Sequence, residues 1–193
     1  MLDFLASPYL ILFARLCLGG VLIVGAIGKL LDARNTPAAI VEQVPFLPSA
    51  LARPAAALLP WVELVVGALL VLGLGLFPTG LVAALMMLVF TGVVVRDVAQ
   101  NRRTPCQCFG RFSKENVSEL TVLRDLFLLV LAGLIVLAPS GYLALDGALQ
   151  SSATALPAAT DAIPVVFMAT AAVFIIILGG ALAELVRGFR RLI

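Results

Sequence analysis

The chain has 193 residues, of which 62% are hydrophobic and 12% charged, with a formal net charge of +2 and a mean hydropathy of +1.14. These values leave too few charges to cover a water-exposed globule and too much apolar surface for disorder, and they give no footprint for a nucleic acid. The apolar residues collect in runs of about 20, the length at which a helix crosses a hydrocarbon core of roughly 30 Å. The sequence is that of an integral membrane protein, an all-α polytopic helix bundle with the lipid bilayer as its solvent.

Five spans are expected. The first runs from Tyr9 to Leu31, with Arg15 its only charge before Lys29. The second covers Ala55 to Leu76 with Glu63 as its only charge, and the third, Thr79 to Val95, has none. The uncharged link Phe77-Pro78-Thr79 is short enough for a tight hairpin between them. The fourth covers Glu119 to Ala138, with Arg124 and Asp125 near its start, and the fifth Ile163 to Val186, with Glu184 near its end. This divides the chain into a four-helix domain (1–139), an exoplasmic loop (140–162) and a fifth transmembrane helix with a basic tail (163–193). Thr36 is placed to cap a short helix beginning at Pro37 along the inner interface.

Basic residues fall on one side of these spans. Lys29, Arg34 and Arg53 surround the first loop; Arg96, Arg102, Arg103, Arg111 and Lys114 lie in the third; Arg187, Arg190 and Arg191 follow the last span. The opposite side, made of the N-terminus, the hairpin and the segment Pro139 to Ala162, has no Lys or Arg. The positive-inside rule makes the basic side cytoplasmic, with the N-terminus out and the C-terminus in, in a bacterial-type cytoplasmic membrane. Met1-Leu2-Asp3 lacks the basic start of a cleaved signal peptide. Tyr9 and Tyr142 fall where outer-face aromatic anchors sit.

There are three cysteines and no histidine. Cys106 and Cys108 are separated by Gln107 in the third loop, in the run Arg102-Arg103-Thr104-Pro105-Cys106-Gln107-Cys108-Phe109-Gly110-Arg111. A disulfide closed over one intervening residue is restricted in geometry and strained, and strain makes it easier to reduce, which suits a transferring pair better than a staple. Arg103 and Arg111, with Lys114 nearby, favour the thiolate, the attacking species. Pro105 and Gly110 bracket the pair with turn residues. The plain alternative is two incidental loop thiols kept reduced in the cytoplasm. Zinc is not expected, because a site needs about four ligands. Cys17, in the first span, reads as a small hydrophobe in a core.

Charges inside spans need partners or a polar cavity. Counting about 1.5 Å per residue, Glu63 lies on the order of 12 Å from the inner end of its span, with Asp125 less deep. Lys29, Glu63, Arg124 and Asp125 are therefore expected to form a polar cluster in the inner half, beneath the cysteine loop. Two roles stand open for it: a structural set of ion pairs, or a proton donor and acceptor set serving thiol exchange. Arg15 is expected to snorkel to the outer face. Ser118 is placed to cap the fourth helix, and Gly19, Gly20, Gly25, Gly28, Gly67, Gly73 and Gly75 to allow close helix packing.

Cys106-Gln107-Cys108-Phe109-Gly110, followed by Ser118 and Leu123-Arg124-Asp125-Leu126-Phe127-Leu128, resembles the signature of the MauE branch of the DoxX-like membrane proteins. The first helix, with Arg15, Gly19 and Gly28-Lys29, and the second, with Trp61-Val62-Glu63-Leu64-Val65-Val66-Gly67, are similar to that family too. The resemblance covers about Tyr9 to Ala138 and implies a four-helix bundle associated with thiol–disulfide chemistry beside a thioredoxin-fold partner. It makes Cys106 and Cys108 the redox pair, with Glu63 and Arg124 in support. The fifth span departs from the family pattern, as does Gln107 between the cysteines. The inward loop also requires a route for electrons across the bundle, for which a quinone or a second membrane redox protein is the candidate.

Three functions follow in order. The first is thiol–disulfide exchange through the Cys-x-Cys loop. The second is a non-catalytic assembly or accessory subunit of a membrane complex. A small transporter comes last, since no broken-helix pair or inverted repeat supports it.

Overall fold

The computed structural model describes residues 7–32, 41, 48–100, 119–137 and 159–190, side chains excepted at 49, 159–162 and 179–190. Five helices account for nearly all of these: α1 (Pro8–Leu31), α2 (Ser49–Leu72), α3 (Leu76–Ala99), α4 (Glu119–Leu137) and α5 (Ala159–Arg190). The first four are long and apolar enough to cross a membrane. In α5 the described apolar stretch is shorter, Ile163–Leu178. Thr36, Ser118, Tyr142 and the segment 140–158 lie outside the described residues.

Local chemistry sets the helix ends. Ser7 caps α1, its hydroxyl accepting from the Leu10 N–H at 3.3 Å, and Pro8 takes the first turn, where a missing N–H costs nothing. Gly73 ends α2 in the left-handed conformation, φ 73°, and donates to the Leu69 and Leu70 carbonyls. The Leu74 N–H also returns to Leu69, completing a C-cap that a side chain at position 73 would strain. Gly75, φ 54°, then starts α3, and the Thr79 hydroxyl donates to the Leu74 carbonyl at 2.9 Å.

The hairpin is thus Gly73-Leu74-Gly75 rather than Phe77-Pro78-Thr79, which lies in the first turn of α3. Proline is tolerated in a first turn, so Pro78 opens the helix instead of interrupting it. Helix α2 also begins six residues before the expected Ala55, carrying Pro54 and Pro60 within it. Prolines of this kind are accepted in membrane helices, where neighbours satisfy the freed carbonyls. Glu63 accordingly stands on the order of 21 Å along the axis from Ser49, near the middle of the helix.

Helices α1 to α4 form a ring in which α1 packs on α2, α2 on α3, α3 on α4 and α4 on α1, while α5 lies against α1. Helix α1 is therefore the hub. Of its most apolar window 61% is buried, against 33%, 28% and 33% for α2, α3 and α4, whose outward faces are left for lipid. The α1–α2 crossing is backbone to backbone: a Cβ added at Gly19 would meet the Gly67 carbonyl oxygen at 2.8 Å, and one at Gly67 would meet that of Gly19 at 2.9 Å. Small residues at such a crossing let dispersion act where no hydrophobic force between helices exists. Gly80 does the same against Ile135 between α3 and α4, and Gly20 against Val173 between α1 and α5. Gly73 and Gly75 serve the turn instead.

Candidate functional site

The site is an ion-paired cavity lined by residues of all four helices of the ring. Lys29, two residues from the end of α1, donates to Glu63 Oε1 of α2 in a buried ion pair. The ammonium also lies 5.2 Å from the centre of the Phe90 ring of α3, a cation–π contact. On α4, Arg124 donates through Nη2 and Nε to Asp125 Oδ1 at 2.9 and 3.0 Å. The two pairs border one cavity, Glu63 from the first and Arg124 and Asp125 from the second. Exposures of 3% for Lys29, 1% for Glu63 and 4% for Asp125 leave water little access. Each charge is held in an apolar bundle by its opposite, as a buried charge must be.

Between the pairs lies a cavity of about 30 Å³, lined by Val21, Leu22 and Gly25 of α1, Glu63 of α2, Met87 and Phe90 of α3, and Arg124, Asp125 and Leu128 of α4. That volume has room for one or two water molecules. Glu63 Oε2 is buried and accepts no hydrogen bond. The Thr91 hydroxyl, one turn further along α3 from Met87, is likewise buried without a hydrogen bond.

Of the residues singled out from sequence, Lys29, Glu63, Arg124 and Asp125 come together here. Cys106, Cys108, Arg103 and Arg111 lie outside the described residues, in the connection between Gln100 and Glu119. Cys17 is buried in the apolar core with Ala14, Leu18 and Val21 and has a free thiol. Arg15 does not snorkel. It is fully buried, and its Nε donates to the Leu70 carbonyl at 3.1 Å and its Nη2 to the Val71 carbonyl at 3.5 Å. Those carbonyls belong to the last turn of α2, where helical donors run out and the dipole is negative, so a guanidinium is satisfied there without reaching the interface. Among the described residues no group of His, Cys, Asp and Glu is arranged to hold a metal ion.

Comparison with known proteins accounts for the region that builds this site. The family model described as methylamine utilisation protein MauE matches residues 7–138. The chain belongs to the MauE family. It is 33% identical over 133 residues to the methylamine utilization protein MauE of Paracoccus denitrificans, covering 68% of this chain and 71% of that protein. No solved structure matches. The MauE match takes in α1 to α4 and the connection bearing Cys106 and Cys108, and stops before α5.

Sequence reasoning missed three residues of the MauE region. Phe90, which lines the cavity, and Thr91, whose hydroxyl is buried, sit in an uncharged run that gives no hydropathy signal for either. Asp97 is 1% exposed and helical, because α3 continues to Ala99 instead of ending at Val95. Its signal was the spacing Met87, Thr91, Val94, Asp97, which repeats every three to four residues along one buried face.

Proposed function

We propose that this MauE-family protein carries out thiol–disulfide exchange at the membrane through Cys106 and Cys108, with a thioredoxin-fold protein or another membrane redox protein as partner. The observation that supports the reading is a Cys-x-Cys-Phe-Gly motif flanked by Arg103 and Arg111, in the connection between α3 and α4 and inside the region matched by the family. In the reducing direction, a partner thiolate attacks one sulfur of the Cys106–Cys108 disulfide and the other sulfur leaves as thiolate. A second partner thiolate then attacks the mixed disulfide and releases the first sulfur. Two electrons have moved to the pair, the partner is left oxidised, and two protons complete the thiols. The reverse sequence donates a disulfide. Arginines beside the pair keep the attacking and leaving sulfurs ionised.

On this reading Lys29, Glu63, Arg124 and Asp125 support the loop from the end of the ring, and a quinone or a second membrane protein forms the other end of the electron route. The positive-inside rule places the loop in the cytoplasm, in a bacterial-type cytoplasmic membrane, with the N-terminus out. The Paracoccus relative is named for methylamine utilization, and a client from such a system is the first to try.

Trapping tests the proposal. With Cys106→Ser and Cys108 intact, and the converse, one variant is expected to accumulate a mixed disulfide with a thioredoxin-fold protein, visible on non-reducing gels and lost with a reductant. Failure of both variants to capture a partner while folded, together with retained function when both cysteines are Ser, overturns it. That outcome favours the accessory-subunit reading, which rests on α5: this helix lies outside the family match yet packs on the hub helix.

A further inference from the structure

We propose that the cavity between Glu63 and Asp125 is a hydrated proton-exchange site, that Glu63 is the group taking up and releasing the proton, and that access runs to one side only, the side of the α3–α4 connection. The inference goes beyond the thiol chemistry proposed above and does not depend on it.

Three observations carry it. Glu63 is 1% exposed and lines the cavity; its Oε1 accepts from Lys29, while its Oε2 accepts no hydrogen bond. A buried carboxylate oxygen in that position asks for a donor, and the cavity of about 30 Å³ has room for a water to supply it. The groups that line the cavity, with Lys29 beside them on Glu63 Oε1, include donors and acceptors able to hold such a water. Lys29 comes from α1 and Arg124 and Asp125 from α4, while α3 brings Met87 and the Phe90 ring. With Lys29 paired to Glu63 and Arg124 to Asp125 the cluster is neutral when all four are charged, so a proton taken up at Glu63 leaves one net positive charge, which water in the cavity has to solvate.

The third observation is the distribution of buried polar groups along the buried faces of α3 and α4, which pack on each other. From the cavity towards the end of α3, the buried face passes Thr91, then Val94, then Asp97. From the cavity towards the start of α4 it passes Asp125 and Thr121. Both paths lead to the same end of the bundle, because α3 and α4 are consecutive packed helices. In the other direction the same faces carry Ala83, Gly80, Ala132 and Ile135, and the Thr79 hydroxyl there is engaged with the Leu74 carbonyl. Hydroxyls and carboxylates pass protons through water, and aliphatic side chains do not. Thr91, buried with a hydroxyl that makes no hydrogen bond, stands one turn from Met87 on this path.

Infrared difference spectroscopy on the full-length protein in lipid nanodiscs tests this. A pH step is expected to give a carboxylic C=O band that shifts in D₂O, is lost in Glu63→Gln and persists in Asp125→Asn. Because Glu63→Gln leaves Lys29 buried without its partner, the double variant Lys29→Met/Glu63→Gln is measured beside it and should also lose the band. Thr91→Val is expected to slow the H/D exchange of the band. The band should survive Cys106→Ser/Cys108→Ser, which separates this proposal from the fate of the thiol reading. No such band in the wild type, a band retained in both Glu63 variants, or one that does not shift in D₂O overturns the proposal.

Discussion

Lys29 and Glu63 stand 34 residues apart in the chain and meet as a buried ion pair that joins the end of α1 to the middle of α2. Neither helix could carry its charge alone at that depth. The pair fixes the register of the two helices, and with Arg124 and Asp125 it makes the end of the ring nearest the Cys-x-Cys connection polar inside.

The pair's energetics are asymmetric. Removing one partner leaves the other charge buried and uncompensated, at about 3–5 kcal/mol, while removing both is far cheaper. Lys29→Met and Glu63→Met should each lower stability by that order. The double variant should recover most of the loss in a double-mutant cycle measured by unfolding in mixed micelles. Additive losses would show that the two side chains do not interact.

Arg15 predicts a different behaviour. Its guanidinium holds the Leu70 and Val71 carbonyls at the end of α2, and a hydrogen bond to a charged group contributes about 1.5–3 kcal/mol. Arg15→Met should cost about that much. Arg15→Lys should not restore it, since one ammonium cannot reproduce the fork that reaches two successive carbonyls. An Arg15→Met variant as stable as the wild type would mean the side chain is held elsewhere, as in snorkelling.

The glycines separate by what faces them. Gly19→Leu and Gly67→Leu drive a side chain into the opposing backbone at under 3 Å and should cost at least about 1–3 kcal/mol. Gly92 has nothing within 4 Å of an added Cβ, so Gly92→Ala should be neutral or gain up to about 1 kcal/mol from helix propensity. Thermal unfolding of the three variants in one detergent checks the contrast.

What was legible in the sequence was what hydropathy and charge encode. Apolar runs placed the four long helices, and single charges inside them pointed to Lys29, Glu63, Arg124 and Asp125. The hairpin was misplaced because a proline looks like a break, although at Pro78 it begins a helix whose turn is made by Gly73 and Gly75. Arg15 was misread because depth alone does not reveal that a neighbouring helix ends beside it, with last-turn carbonyls free to accept from a guanidinium. Asp97 was passed over since a charge beside Arg96 looks like the water-side edge of a span; only the folded bundle shows it buried. Helix partners are non-local, and a single chain of letters carries them only weakly.

The central claim, exchange through Cys106 and Cys108, is tested most directly by labelling the two thiols with a membrane-impermeant maleimide, in intact and in permeabilised cells, with and without prior reduction. The account predicts labelling only after permeabilisation, and labelling that rises on reduction and falls when the cells are oxidised. Full labelling from the inside under every redox condition would contradict it, leaving the pair inert.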